Sequence, residues 1–80
     1  MTFEDFLNVS DHEVWINATL PNEKDEITVW SADWHGGHDE TLEEVEPYLD
    51  LEVDDMRIEK RANPESKKIK VEMICVNLYD

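Results

Sequence analysis

The residues best suited to chemistry lie together in the middle of the chain, between Trp30 and Glu46. Two histidines and three carboxylates are interleaved there: Asp33, His35, His38, Asp39 and Glu40. Imidazole and carboxylate groups are ligands for zinc, manganese and iron. One hypothesis is therefore a small metal-binding domain with Asp33, His35 and His38 as weak candidate ligands. The alternative is a polar loop at Gly36-Gly37 with exposed histidines.

The same segment resembles the opening motif of the calcineurin-like metallophosphoesterases, an apolar strand that ends in Asp-x-His-Gly. The matching residues run from Ile27 to Gly36. Those enzymes take further ligands from later strands, but this chain has no histidine after His38 and no glycine after Gly37. It also lacks a nucleophile motif and a phosphate-binding loop. The sequence therefore predicts a protein that is not an enzyme and that carries no metal or other cofactor.

Carboxylates dominate the same region, since ten of them fall in the 23 residues from Asp33 to Asp55. Their spacing does not match a calcium-binding EF-hand loop. An acidic face of this kind can compete with phosphates for the Lys/Arg groove of a nucleic-acid-binding protein. The other interpretation is a solvated face without a partner. The predicted partner-binding residues are Trp30, Trp34, Asp39, Glu40, Glu43, Glu44, Glu46 and Asp50.

Three tryptophans accompany these carboxylates. Alternation places Trp15 on one strand and both Trp30 and Trp34 on the next, with two or three of them on the face opposite Ile16 and Val29. We expect Trp15 to meet Trp30 or Thr28 across a hairpin, because cross-strand aromatic pairs are favourable. If a helix covers this face, the tryptophans belong to the core; if not, they form an aromatic patch suited to protein binding.

Six elements are predicted to position these residues. Phe3, Phe6 and Leu7 share one face of a short helix that Thr2 caps. A second helix, over about 41–50, is predicted from a capping box of Thr41 and Glu44, with a break or restart at Pro47. Alternation and turn residues predict four strands. These are His12 to Leu20, Glu26 to Trp34, Leu51 to Arg61 and Lys67 to Asn77.

The order helix, hairpin, helix, hairpin predicts a single α+β domain over residues 1–80. We expect an antiparallel sheet of about four strands with the helices on one face; the alternative is two hairpins packed as a small barrel. In the last strand, Ile69, Val71, Met73 and Cys75 are predicted to face the core. Since Cys75 is the only cysteine, no disulfide can form within the chain.

The charge of the chain is strongly negative and uneven. The net charge is −14, with 17 acidic and one basic residue in positions 1–55, against four acidic and six basic residues in positions 56–80. Such a balance repels nucleic acids and anionic membranes, so we expect a basic protein surface as partner, and no direct nucleic-acid or membrane binding. Bulk solubility is the alternative reason for the charge. The lone cysteine and the absence of a signal peptide or long apolar run predict a cytoplasmic protein.

In size, acidity and layout the chain resembles small phage and mobile-element proteins, including anti-CRISPR proteins and other DNA mimics. The resemblance rests on the segment Thr2 to Leu7, the strand with Val14 and Ile16, and the run from Leu42 to Val53. It contains no diagnostic motif. It implies a non-enzymatic inhibitor that occupies a Lys/Arg-rich surface of a partner complex. A structural or dimeric housekeeping domain is the other alternative, and the sequence leaves monomer and dimer open.

Overall fold

Eight short elements follow one another in the computed structural model, which describes residues 1–80. They are helix α1 (Phe3–Val9), strands β1 (Trp15–Thr19) and β2 (Glu26–Trp30), helices α2 (Ser31–His35) and α3 (Asp39–Val45), a 3₁₀ turn (Glu46–Tyr48), and strands β3 (Glu52–Asn63) and β4 (Ser66–Tyr79). The α+β fold with four strands in two hairpins is therefore confirmed.

The four strands form one sheet in the order β2-β1-β4-β3. Pairing is antiparallel inside each hairpin, as predicted, but β1 and β4 lie parallel to each other at the junction of the hairpins. The sheet is thus mixed rather than entirely antiparallel. Alternation identifies strands, whereas the orientation between distant hairpins depends on the path of the chain through α2 and α3.

The helices pack on one face of this sheet, as predicted. The buried cluster there joins Phe3 and Leu7 of α1 and Val45 of α3 to residues of the sheet such as Ile16 and Val76. In β4, however, the side chains that face the helices are Ile74, Val76 and Leu78, and not the predicted set Ile69, Val71, Met73 and Cys75. The run Met73 to Val76 is apolar on both faces of the strand. Its sequence pattern therefore does not indicate which face packs against the helices.

Helix α1 forms where its local signals predict it. The Thr2 hydroxyl accepts a hydrogen bond from the Asp5 amide (3.2 Å), and the Asp5 carboxylate accepts one from the Thr2 amide (3.4 Å). This capping box satisfies amide groups that the helix leaves free. Two turns of helix are marginal in water, so the burial of Phe3, Phe6 and Leu7 supplies the necessary stabilisation.

The central helices differ from the predicted boundaries. Strand β2 ends at Trp30, and Ala32 and Trp34 belong to α2 instead of a longer strand. Helix α3 begins at Asp39, after His38, so the Thr41–Glu44 capping box does not form. The chain reaches α3 through Gly37, whose φ of 69° is accessible to glycine without strain. The predicted break at Pro47 is confirmed, because this residue lies in the 3₁₀ turn that follows α3.

Candidate partner-binding site

Helix α3 and the residues that follow it up to Asp50 carry a series of exposed carboxylates. In this helix Val45 is buried and Thr41 is partly buried, while the other five residues are exposed. We call the exposed carboxylates of this segment the acidic face: Asp39, Glu40, Glu43, Glu44, Glu46 and Asp50. None of the six forms an ion pair with a basic residue of the chain. The sequence-predicted carboxylates are therefore all exposed, and their charge is not neutralised internally.

The two tryptophans predicted to accompany these carboxylates lie in different layers. Trp30 ends β2 and packs against Trp15, its register partner, with ring centroids 4.9 Å apart and planes inclined by 47°. This pair was predicted from the hairpin. Trp34 lies in α2, packs against the core cluster, and donates its indole N–H to Asn8 Oδ1 (3.0 Å). Two of the tryptophans, Trp15 and Trp30, thus share the strand face on which two or three were expected. The placement of Trp34 there is wrong, because the chain turns from strand to helix at Ser31 and the period of its side chains changes.

The weak metal-ligand candidates are not assembled into a site. The His35 ring stacks on His12 with centroids 4.1 Å apart, and its Nε2 lies 3.0 Å from the carbonyl oxygen of Ser10. His38 Nε2 lies 3.9 Å from Asp33 Oδ1. No group of three His, Cys, Asp or Glu side chains in the chain is placed to hold a metal ion. The contacts of His35 with His12 and Ser10 instead connect α2 to the segment that follows α1.

A second charged feature, which the sequence did not reveal, lies on the sheet face opposite the helices. We call this the outer face. Arg57 Nε donates to Glu59 Oε2 (2.5 Å), Arg61 Nη2 to Glu59 Oε1 (3.5 Å), and Arg61 Nη1 to both carboxylate oxygens of Glu26 (3.2 and 3.3 Å). These four side chains form the charged cover. A β-bulge between Asp54 and Arg57 brings Arg57 opposite Cys75 on this face.

The charged cover joins the two edge strands of the sheet, since Glu26 belongs to β2 and Arg61 to β3. In a flat sheet, strands separated by two others are about 14 Å apart. Glu26 also lies in the row of Asn77 and Arg61 in the row of Val71, six residues or about 20 Å apart along β4. Side chains of this length could not meet over both separations in a flat sheet, so the sheet curves over its outer face. Asn17, Met73 and Cys75 are consequently buried although no helix lies over them.

The electrostatics of the outer face follow from this arrangement. The hydrogen bond from Arg57 lowers the pKa of Glu59, and burial of the thiol raises the pKa of Cys75. Asn17 Oδ1 accepts a hydrogen bond from the Thr28 hydroxyl (3.1 Å), while its buried Nδ2 has no hydrogen-bond partner in the chain. Cys75 is thus a buried, protonated thiol without the features of a reactive cysteine. Its predicted burial is confirmed, on the face opposite the one expected.

Comparisons of the chain with protein-family models, with curated proteins and with solved structures found no match.

None of the helices has the length and apolar character needed to cross a membrane.

Proposed function

We propose that this protein is a non-catalytic, acidic binding protein that occupies a Lys/Arg-rich, nucleic-acid-binding surface of a partner complex. It would act as an inhibitor, in the manner of anti-CRISPR and other anti-defence proteins. The observation that carries this proposal is the acidic face, whose six carboxylates are all exposed within the segment Asp39 to Asp50 and have no internal basic partners. Cations of a partner can therefore pair with them without displacing existing contacts.

The rest of the molecule suits the same role. A net charge of −14 attracts a basic surface over a distance of about 8–10 Å at ordinary ionic strength and accelerates association. The acidic face is carried by a helix whose buried residue Val45 packs in the core, so its carboxylates are presented on a supported element. The six basic residues of positions 56–80 lie in or beside the β3–β4 hairpin, apart in sequence from the acidic face.

Charge reversal on the acidic face tests the proposal. The tagged protein is used to recover partners from lysate, and each recovered partner is titrated with duplex DNA in the presence and absence of the protein. We expect the wild type to displace the DNA at stoichiometric concentration and binding to weaken steeply with salt. The double variant E43K/E44K should weaken binding at least about tenfold, because two exposed ion pairs become repulsive contacts.

The matched control is the double variant E23K/D80K. It changes the net charge by the same amount at two exposed residues that lie outside the acidic face and make no ion pair. The control should retain nearly the wild-type affinity. Equal binding by E43K/E44K and wild type, or a partner that still binds DNA while saturated with the protein, would show the proposal to be wrong.

A further inference from the structure

A second recognition surface lies where the β3–β4 hairpin extends past the first residue of β1. Strand β1 begins at Trp15, which pairs with Met73, so the earlier residues of β4 have no neighbour on that side. The gap forms a cavity of about 520 Å³, which we call the Trp cleft. It is lined by Glu13, Val14, Trp15, Trp30, Val71 and Glu72, together with Asn63 and Glu65 at the turn of the hairpin.

The apolar part of the Trp cleft is aromatic. Trp15 and Trp30 are both half-buried and meet at a centroid distance of 4.9 Å with their planes inclined by 47°. Their mutual contact leaves part of each ring facing the cavity, and Val14 and Val71 complete the apolar lining. The face of an indole ring is the best of the natural aromatic surfaces for attracting a cation.

The polar part of the Trp cleft is entirely acidic apart from Asn63. Glu13, Glu65 and Glu72 are exposed, and none of them forms an ion pair in the chain. No lysine or arginine lines the cavity, although the hairpin beside it carries several. An aromatic surface with unneutralised carboxylates is complementary to a group that is both flat and positively charged.

We propose that the Trp cleft binds an arginine side chain of the protein partner. A guanidinium group stacks on an aromatic face and still donates hydrogen bonds in its own plane to carboxylates, whereas the ammonium group of lysine is compact and strongly hydrated. This inference rests on the proposed function, because that proposal supplies the basic partner protein to which the arginine belongs. It adds a specific pocket to an interaction that the acidic face alone would make only through general charge attraction.

The test uses N-acetyl-arginine amide as the probe and the indole N–H resonances of the three tryptophans as reporters. We expect saturable shifts at Trp15 and Trp30, with a dissociation constant of about 1–10 mM, typical of a single side chain. Trp34 lies in the other layer, where its indole donates to Asn8, and should not shift. N-acetyl-norleucine amide should cause no comparable change, and N-acetyl-lysine amide should bind at least about threefold more weakly.

Two variants locate the site. E65Q/E72Q removes charge only from exposed residues and should weaken arginine-amide binding by at least about fivefold; W15L should abolish the shift at Trp30. The control E43Q/E44Q removes the same charge from the acidic face and should bind the probe as the wild type does. The proposal that the Trp cleft binds arginine would be wrong if norleucine amide caused equal shifts. It would also be wrong if E43Q/E44Q weakened binding of the arginine amide as much as E65Q/E72Q does. If only this test fails, arginine binding in the Trp cleft is rejected. The role of the acidic face is still decided separately, by the effect of E43K/E44K on partner binding.

Discussion

Removal of the Arg61 guanidinium should make Cys75 accessible to thiol reagents. Cys75 is fully buried on the outer face, which no helix covers. Arg61 is the member of the charged cover that reaches across this face, since it donates to Glu59 on β3 and to Glu26 on β2. The variant R61A breaks that connection while leaving the helices and their core unchanged. Opening of the outer face should therefore become easier.

The size of the effect follows from the geometry of these contacts. Arg61 lies 3.2 Å from one Glu26 oxygen and 3.5 Å from Glu59, with side chains 32% to 43% exposed. Ion pairs this exposed contribute about 0.2–1 kcal/mol each after screening by water and salt. Loss of both therefore corresponds to about 0.4–2 kcal/mol, and since about 1.4 kcal/mol is a factor of ten, labelling should accelerate about 2- to 30-fold.

The thiol chemistry works against this acceleration and so makes the test stricter. Burial raises the pKa of Cys75, and the charge of Arg61 partly lowers it again. Removing Arg61 leaves the thiol with a still higher pKa and a smaller thiolate fraction, which alone would slow its reaction. Faster labelling of R61A can therefore be assigned to opening of the charged cover.

The assay is alkylation by iodoacetamide, a neutral reagent whose approach is unaffected by the net charge of −14. The matched control is K70A, which removes an exposed cation without an ion pair from the same hairpin. Labelling rates are measured beside urea unfolding, so that local opening is separated from global unfolding. An R61A rate equal to that of the wild type, or an equal acceleration in K70A, would refute the role of the charged cover.

Two further predictions concern the stability of the fold. Leu7 is fully buried in α1, so L7A should lower the free energy of unfolding, measured with urea, by about 2–5 kcal/mol. Val9 of the same helix is 71% exposed, so V9A should change this free energy by less than about 0.5 kcal/mol. Similar losses in both would contradict the docking of α1. The hydrogen bond from Arg57 lowers the pKa of Glu59 below its ordinary value of 4.5, so this carboxylate stabilises the fold above that pH and the contribution is lost as pH falls through the lowered value. E59Q should therefore lose less stability on acidification than the wild type, measured as Tm against pH, and parallel curves would argue against this pairing.

The predictable parts of the fold are those that depend on near neighbours in the chain. Helix α1 follows from Thr2 and Asp5, three positions apart, and from apolar residues on one helical face. The Trp15–Trp30 pair follows from a short hairpin whose turn sets the register of its strands. The end of β2 at Trp30 was missed because it depends on Ser31, whose buried hydroxyl bonds to Ser10 and to the carbonyl of Asp11, both distant in sequence.

The candidate sites divide in the same way. The acidic face was predictable, because carboxylates that outnumber nearby apolar residues on a short helix must remain in water. The metal hypothesis drew on the proximity of Asp33, His35 and His38 in sequence, but ligands must also converge in space. Here the Nε2 of His35 faces the Ser10 carbonyl oxygen instead.

The sequence alone therefore determined helix α1, the four strands and their order in the chain, the α+β class and the position of the unpaired negative charge. Each of these depends on residue type and local periodicity. The tertiary structure decided that β4 lies parallel to β1, which of its apolar faces meets the helices, and that Arg61 reaches Glu26 across a curved sheet. It also placed the hairpin turn beside Trp15 and so formed the Trp cleft. These features join residues far apart in the chain, and only the packing of the two hairpins brings them together.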